Sequence, residues 1–351
     1  MAEPNPNLTV VLHACLGVGH LIPMVELAKL VLSRVLSITI AVPTPPASTA
    51  DFFDTSASAV AAITAANQAV SFHHLPASDY PVPYPDPFLQ MLDALRLTIP
   101  ALAAFLRSLP SVTALVLDLF CVDALDAAES AGVPAYFYYT SYAGAPPPPH
   151  YFAVTDGGAS FKDMGKEPLR FPGVPPIPAS DMPHTVLDRE DRTCAERIRH
   201  YARIPEARGV PVNTYEWLEA RAVRALRDGV CVPGHPTPLV YPIGSLIVKG
   251  QEAAEKEARH ACLAWLDAQP ARSVVFLCFG SLGTVLTAQP RRRLAGWGAP
   301  ATGSCGSCGA RPRTQASSSS RAPSRIWTAC CQRAFLDRTR DRGMVVKMWA
   351  P

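Results

Sequence analysis

The sequence predicts an α/β fold built on a parallel sheet. Apolar, β-branched runs end in small or polar residues and are followed by helical periodicity, and this alternation recurs through the first two thirds of the chain. The chain has 351 residues, of which 48% are hydrophobic, so it is long enough for two cores. We therefore expect two α/β domains.

The first unit combines a strand, a turn that contains glycine, and a helix. A strand is predicted at 8–14, a turn at 15–20 and a helix at 24–33, with Pro23 at the helix start because the missing N–H of proline is tolerated there. The β-branched runs predict the other strands of this domain at 37–42, 70–73, 114–117, 135–139 and 210–213.

Amino-acid composition predicts the loops of this domain and the connection to the second domain. Proline-rich stretches at 79–87 and 145–150 are predicted as loops at the rim of the sheet, because proline fits neither a helix interior nor a central strand. The charged stretch 249–268 is predicted as a connecting helix. A strand at 273–279 and a turn at 280–283 then open the second domain.

Targeting and redox signals are absent from this sequence. The polar start, residues 1–7, lacks the basic and apolar regions of a secretory signal, so we expect a cytosolic protein with reduced cysteines, ten in all. The best apolar run, 112–122, is interrupted by Asp118 and is shorter than the roughly 20 residues of a membrane helix. We expect no membrane span and no nucleic-acid partner.

Net charge is distributed unevenly. The chain carries 32 basic and 29 acidic residues, but 289–334 holds eight arginines and no Asp, Glu or Lys. This stretch also lacks valine and has one leucine and one isoleucine. It therefore requires an explanation of its own.

A dinucleotide site is a poor fit to the first turn. Gly17 and Gly19 precede a helix, as in a pyrophosphate-binding turn, but Ile22 stands where a third glycine belongs. The second strand also ends without an acidic residue for a ribose. These departures disfavour an NAD-linked oxidoreductase.

His20 and Asp118 each follow a predicted strand. Because the carboxyl ends of parallel strands meet at one edge, the two side chains are expected to converge there, with the carboxylate orienting the imidazole as a base. Two other interpretations stay open: His20 as an incidental loop residue, and Asp118 as a cap for the following helix.

Five ordered stretches carry a resemblance. The chain resembles the plant UDP-glycosyltransferases that act on phenolics and other secondary metabolites, in VVLHACLGVGHLIPMVELAKL (10–30), ALVLDLFCVDALDAAESAGVPAYFYYTS (114–141), YPIGSLI (241–247), CLAWLDAQPARSVVFLCFGSLGT (262–284) and RGMVVKMWAP (342–351).

The resemblance implies a GT-B fold, with two facing Rossmann-like domains. It implies an acceptor-binding domain at 1–245, a linker helix at 246–272 and a domain for the UDP-sugar at 273–351, which is incomplete and contains the aberrant segment 289–334. The family transfers a hexose, by default glucose, from a UDP-sugar to a small phenolic or other hydrophobic hydroxyl compound, with inversion. A monomer is expected, without a metal or other cofactor.

The resemblance also assigns roles. His20 corresponds to the general base and Asp118 to its partner, and we add Phe120 and the loop 80–90 as acceptor-binding candidates. Residues that match donor-binding positions of the family are Thr140, Ser281, Thr284, Trp349 and Ala350.

The chain departs from the family near its end. It stops at Pro351, where the uracil-binding signature begins, so most of the residues that hold the diphosphate and the sugar are missing from this sequence. Segment 289–334 is expected to form neither the helix nor the strand of the family, because it has too few apolar residues to offset the entropy of ordering. A zinc knuckle from Cys305, Cys308 and the adjacent pair at 330–331 is disfavoured by its spacing.

A slip of reading frame explains this segment better. Codons permitted for 302–308, read one base earlier, can encode His-Arg-Phe-Leu-Trp-Val-Val, the apolar strand of the family. Two functions remain: an active glycosyltransferase, or a non-catalytic acceptor-binding remnant such as a pseudogene product. The departures favour the second for the sequence as written.

Overall fold

The computed structural model describes residues 5–32, 34–44, 61, 63–65, 67–76, 86–144, 159–231, 237–246, 261–278, 303–307 and 343–346. The chain divides into two compact units, Met1–Lys249 and Gly250–Pro351. The first unit contains the acceptor-side residues that the sequence analysis singled out.

The first unit is built on a parallel sheet of seven strands. Its strands are β1 Asn5–His13, β2 Val35–Pro43, β3 Ser71–Leu75, β4 Ala114–Asp118, β5 Ala135–Tyr138, β8 Gly209–Val212 and β9 Leu239–Pro242, and a separate antiparallel pair is β6 Pro168–Leu169 with β7 Ile177–Pro178. The order across the sheet is β3-β2-β1-β4-β5-β8-β9. The predicted α/β class and six of its strands are therefore confirmed, whereas β9 was missed.

Helices cover both faces of this sheet. They are α1 Val18–Leu32, α2 Pro87–Leu97, α3 Ile99–Ser108, α4 Leu125–Ser130, α5 His184–Leu187, α6 Arg192–Arg203 and α7 Ala220–Arg227. Consecutive strand residues point to opposite faces. Val11 accordingly packs with Leu92 and Leu102 of α2 and α3, and Leu12 packs with Met24 of α1.

Helix α1 begins earlier than predicted. We expected Pro23 at its start, but the helix begins at Val18 and encloses Pro23. A proline inside a helix lacks the N–H that would bond to the carbonyl four residues earlier, which for Pro23 is the carbonyl of Gly19. His20 therefore lies in the first turn of a helix and not in a loop.

Helix α2 corrects a second expectation. The loop 80–90 was proposed for the acceptor, but residues 87–90 are the first turn of α2, and 80–85 lie outside the described residues. The Asp86 side chain caps this helix by accepting from the N–H groups of Phe88 and Leu89. Pro87 occupies a first-turn position, which suits its missing N–H.

The stretch Phe88–Ser108 is apolar enough to resemble a membrane-spanning helix, which the sequence analysis did not anticipate. By length and composition alone its 21 residues could cross a bilayer, with a mean hydropathy of 1.4 in an 18-residue window. Half of the stretch is buried inside the protein, as in a core helix, and Thr98 separates it into α2 and α3.

The second unit contains helix α8 Ala261–Asp267 and three parallel strands, β10 Val274–Cys278, β11 Gly303–Ser307 and β12 Gly343–Val346. Their order is β10-β11-β12, so β11 pairs with both neighbours. The expectation that 289–334 forms no strand is wrong at 303–307, because a ladder needs only backbone N–H and C=O groups in extended conformation. The rest of that segment lies outside the described residues.

Candidate active site

The site lies where β1 and β4 end side by side. These strands are parallel neighbours, with His13 of β1 opposite Leu117 of β4. Gly17 has a φ of 104°, a conformation that favours glycine, and it turns the chain from β1 into α1. The turn places His20 beside Asp118, the last residue of β4.

His20 and Asp118 form a hydrogen-bonded ion pair. The His20 Nδ1 atom is 2.9 Å from Asp118 Oδ2, with the imidazole 28% exposed and the carboxylate 1% exposed. The other carboxylate oxygen, Oδ1, accepts a hydrogen bond of 3.0 Å from the Phe120 backbone N–H. Asp118 thus stabilises the turn after β4 as well as orienting the imidazole. The alternative interpretation, that Asp118 caps the following helix, is wrong, because Cys121 and Ala124 occupy the N-cap positions of the next two helical segments and neither segment has a side-chain cap.

The charge of Asp118 sets the acidity of His20. Burial lowers the pKa of the imidazole, but the adjacent carboxylate more than offsets this and raises the pKa of His20 from 6.5 to about 10. Because Nδ1 faces Asp118, Nε2 is the atom that can exchange a proton, and it makes no hydrogen bond within the described part of the chain.

Cys15 lies close to this pair. One ligand atom from each of Cys15, His20 and Asp118 lies within 4.8 Å of the others, which is a spacing that could hold a metal ion. The Nδ1 to Oδ2 distance of 2.9 Å is that of a direct hydrogen bond, and two ligands about 2.0 to 2.2 Å from a tetrahedral zinc ion would stand farther apart. The observed geometry therefore suits a proton-transfer pair.

Phe120 contacts the catalytic candidate directly. Its ring centroid is 5.3 Å from that of His20 in an edge-to-face arrangement, and 5.7 Å from that of Phe88. The guanidinium carbon of Arg197, on α6, lies 4.3 Å from the Phe88 ring centre and 4.9 Å from the Phe120 ring centre. Sequence reasoning missed Arg197, because an arginine within a charged helix is typical of a solvated face.

Thr140 follows β5 at the same edge of the sheet. Its carbonyl accepts a hydrogen bond of 3.2 Å from Asn213 Nδ2. Three residues farther on, the N–H groups of Ala143 and Gly144 donate to the Glu219 carboxylate at 2.7 and 2.9 Å. Glu219, which the sequence analysis also missed, thus holds the segment after Thr140, while the donor role of Thr140 stays a prediction.

An apolar cavity lies on the sheet face between α6 and α7. Its empty volume is about 660 Å³, counted with the open space at its mouth. Its lining side chains come from the ends of β4 and β5, from β8, β9 and α7, and from the end of α6, and they are Leu119, Tyr139, Ala143, Tyr201, Ile204, Pro205, Val210, Val212, Leu226, Thr237, Pro238 and Val240. Leu119 and Tyr139 are sequence neighbours of the candidates Asp118, Phe120 and Thr140.

The remaining donor-site candidates cannot be placed. Ser281, Thr284, Trp349 and Ala350 lie outside the described residues. The described residues therefore bring together His20, Asp118 and Phe120, and Thr140 lies just after the end of the neighbouring strand β5.

Comparison with known proteins decides the family. The chain is 33% identical over 357 residues to anthocyanidin 5,3-O-glucosyltransferase of Rosa hybrid cultivar, with 97% of this chain and 73% of the relative covered. The chain belongs to the plant UDP-glycosyltransferases. A second member of the family, phloretin 2'-O-glucosyltransferase of Pyrus communis, is 34% identical, with 97% and 74% covered. No family model matches the chain.

Solved structures of this family share the fold. A UDP-glucosyltransferase from Polygonum tinctorium that glucosylates indoxyl matches with a TM-score of 0.79 and 29% identity, covering all of this chain and 73% of that one. The glycosyltransferase UGT2 of Phytolacca americana, solved with UDP-2-fluoro-glucose and pterostilbene, matches with a TM-score of 0.72 and 28% identity, with the same coverage. The predicted α/β fold of GT-B type is therefore confirmed.

Proposed function

We propose that this chain transfers a hexose, glucose by preference, from a UDP-sugar to the hydroxyl of a small aromatic acceptor, with His20 as the general base. The single observation that carries the proposal is the 2.9 Å contact between His20 Nδ1 and Asp118 Oδ2. It lies at the carboxyl end of parallel strands, where α/β sheets bind ligands. Relatives that glucosylate anthocyanidin and phloretin support the acceptor class.

The proton transfer follows from this geometry. The form of His20 that acts as the base is the neutral one, in which Asp118 keeps the proton on Nδ1 and leaves Nε2 able to take the proton from the acceptor hydroxyl; the ion pair forms as this proton arrives. The acceptor oxygen then forms a bond to the anomeric carbon as the bond from that carbon to the UDP oxygen breaks, and UDP leaves with the electron pair. The configuration at the anomeric carbon is inverted in this single displacement.

Asp118 makes His20 a stronger base toward a phenol. A phenol has a pKa of about 10, and the neighbouring carboxylate raises the pKa of His20 from 6.5 toward that range, so the difference in acidity that the proton transfer must bridge becomes smaller. An aliphatic alcohol is a much weaker acid than a phenol, and its proton would be transferred uphill. The electrostatics of the pair therefore favours phenolic acceptors.

The alternative is a non-catalytic acceptor-binding protein. It is favoured by composition, because β11, the central strand of the second sheet, has the sequence Gly-Ser-Cys-Gly-Ser and contains no large apolar residue. A sequence of this kind offers little apolar area as a source of stability. Calorimetry with UDP separates the two functions, because a transferase must bind UDP whereas an acceptor-binding protein need not.

The proposal is tested by UDP release from UDP-glucose in the presence of phloretin. His20→Ala is expected to lower the turnover number at least about 100-fold, since general-base catalysis contributes that much or more. The matched control is His184→Ala, because His184 is an exposed histidine at the start of α5 and should leave turnover unchanged. Equal turnover in wild type and His20→Ala would exclude the proposed role of His20.

A further inference from the structure

Arg197 differs from the other arginines of α6. Arg199 forms ion pairs with Asp123 and Glu196, and Arg203 pairs with Asp126 and Glu206. Arg197 forms no ion pair with any residue in the part of the chain that the structure describes. Its positive charge therefore has no carboxylate partner among those residues.

The position of Arg197 on the helix explains this difference. It lies four residues after Thr193 and four before Tyr201, both of which are buried, so it belongs to the inward face of α6. Most of the charged partners of Arg199 and Arg203 lie on other elements, as Asp123 and Asp126 do. The guanidinium of Arg197 instead reaches the aromatic rings of Phe88 and Phe120.

Most hydrogen-bond donors of Arg197 are unused. Its Nη1 donates to the Tyr201 hydroxyl at 3.1 Å. Its Nε is enclosed without a hydrogen-bond partner, and its Nη2 makes no hydrogen bond to another described residue. A guanidinium carries five N–H donors, and leaving them unpaired away from water is unfavourable. Among the described residues, the Nη2 group of Arg197 is therefore available to a further acceptor.

Arg197 is close to the catalytic pair. The centre of the Phe120 ring lies 5.3 Å from the centre of the His20 ring and 4.9 Å from the guanidinium carbon of Arg197. The charge of Arg197 reaches the imidazole, because it lowers the pKa of His20 against the opposing effect of Asp118. An aromatic compound whose hydroxyl meets His20 Nε2 thus has Phe120 and Arg197 within reach of its far end.

We propose that Arg197 anchors the acceptor, and that the acceptor class is aromatic compounds that carry a carboxylate in addition to the hydroxyl that is glycosylated. This inference rests on the proposed function, because it assumes that the acceptor binds beside His20. A planar guanidinium matches a carboxylate in shape and charge, and the hydrogen bonds between them are charge-assisted. The neighbouring rings of Phe88 and Phe120 accommodate the aromatic body of the same molecule.

Arg197 could instead only hold Phe88, Phe120 and Tyr201 in place. A purely structural role would affect all acceptors alike, whether or not they are charged. The discriminating measurement is therefore the ratio of the dissociation constants of two acceptors that differ only in the carboxylate.

The experiment uses 4-hydroxycinnamic acid and its methyl ester, measured by calorimetry at pH 7.5 on the full chain. At this pH the carboxylate of the acid is ionised, the ester carries no charge, and the phenol is neutral in both compounds. We expect the wild type to bind the acid about 10-fold or more tightly than the ester. In Arg197→Met we expect this ratio to fall to about 1, with the affinity for the ester unchanged. Arg197→Lys should retain part of the preference, and the exposed Arg208→Met should retain all of it.

The outcomes separate this inference from the proposed function. If the wild type binds acid and ester equally, or if Arg197→Met keeps the preference, Arg197 is not the anchor, although the chain still binds phenols. If neither compound binds, this inference is overturned, whereas the proposed function is decided separately by UDP release in the presence of phloretin. The comparison on the wild type needs no variant, so it decides the question even where Arg197→Met does not fold.

Discussion

The imidazole of His20 and the carboxylate of Asp118 are 98 residues apart in sequence, yet their Nδ1 and Oδ2 atoms lie 2.9 Å from each other. The contact depends on two neighbouring parallel strands that end at the same edge of the sheet. Asp118 is 1% exposed, and both of its carboxylate oxygens accept hydrogen bonds. The pair is therefore fixed before any acceptor binds.

Removing the negative charge of Asp118 should lower the pKa of His20. In Asp118→Asn we expect the pKa to fall from about 10 to near or below 6.5, because burial alone lowers it. NMR titration of labelled histidine rings measures this change without any need for turnover. The control is Asp126→Asn, which removes a carboxylate whose side chain is 61% exposed and which pairs with Arg203. An unchanged pKa in Asp118→Asn would contradict the assignment.

The same pair affects stability in the alkaline range. The folded pKa of His20 is raised above its unfolded value of 6.5, so its contribution to the free energy of unfolding is fully present below pH 6.5. That contribution is lost as the pH rises toward about 10. Asp118→Asn should accordingly show a smaller loss of stability between pH 7 and pH 10 than the wild type, as measured by urea unfolding.

Two buried histidines should make the protein sensitive to acid. Burial lowers the pKa of His13 and of His200 to about 4, and these residues are 1% and 3% exposed. Because the unfolded chain takes up protons near pH 6.5 and the folded chain does not, stability is full above pH 6.5 and falls as the pH drops toward 4. A shift of this size corresponds to about 3 kcal/mol for each residue at pH 4.

His200→Leu tests this acid effect. The Nδ1 atom of His200 donates to the Glu196 carbonyl at 2.7 Å, and its Nε2 is enclosed without a partner among the described residues. Leucine removes the titrating group at small loss of hydrogen bonding, so the difference in unfolding free energy between pH 7.5 and pH 5 should shrink. The exposed His184→Leu is the control, and an equal difference in wild type and His200→Leu would contradict the prediction.

Asp123, which follows β4, should be the most important of the carboxylates that pair with the arginines of α2 and α6. It accepts hydrogen bonds from Arg96 Nε at 2.7 Å and from Arg199 Nη2 at 2.8 Å, and these partners lower the pKa of Asp123 against the effect of burial. Its side chain is 15% exposed. Asp123→Asn should therefore lower the free energy of unfolding by about 2 kcal/mol at pH 7, because two guanidinium groups lose their shared partner.

The exposed Asp126 provides the comparison for Asp123. It pairs with Arg203, but its side chain is 61% exposed, so Asp126→Asn should change the free energy of unfolding by no more than about 0.5 kcal/mol. Urea unfolding of both variants at pH 7 measures the difference. Equal effects would mean that burial does not strengthen the Asp123 contacts.

Much of the fold, and the pairing of His20 with Asp118, could be predicted because both follow from the positions of the strands. Apolar runs locate strands, and parallel strands place their carboxyl ends together, which was enough to bring His20 to Asp118. The start of α1 was mispredicted, because proline is a weak stop signal within the first turns of a helix. Strand β11 was missed, because its ladder depends on its neighbours rather than on its own side chains.

The contacts of Arg197 and Glu219 could not be predicted from the pattern of strands. Their contacts join α6 and the start of α7 to the sheet edge, and no local pattern reports such packing. The signal that was present is the helical spacing of Thr193, Arg197 and Tyr201, which puts one arginine on the apolar stripe of a charged helix. A charged residue on an apolar stripe is a better indicator of a site than a charged residue on a solvated face.

Gly173 should be needed for the packing of α7, which lines the apolar cavity through Leu226. Its φ is 77°, and a Cβ there would lie 2.7 Å from the Arg221 carbonyl oxygen and 2.8 Å from Ala222 Cα, so backbone atoms of α7 would have to move. Gly173→Ala should lower the free energy of unfolding by about 2 kcal/mol or more through strain and overpacking. Gly132→Ala is the matched control, because its φ of 67° carries the strain but a Cβ there meets nothing within 4 Å; its cost should be about 1 kcal/mol.

Acceptor binding separates these two glycine variants further. Gly173→Ala displaces α7, and with it Leu226 and the segment that Glu219 holds after Thr140. Its affinity for phloretin should therefore fall several-fold, whereas Gly132→Ala, in the turn before β5, should bind phloretin as the wild type does. Calorimetry on both folded variants measures these affinities. Equal phloretin affinities in the two variants would mean that the cavity beside α7 is not part of the acceptor site at His20.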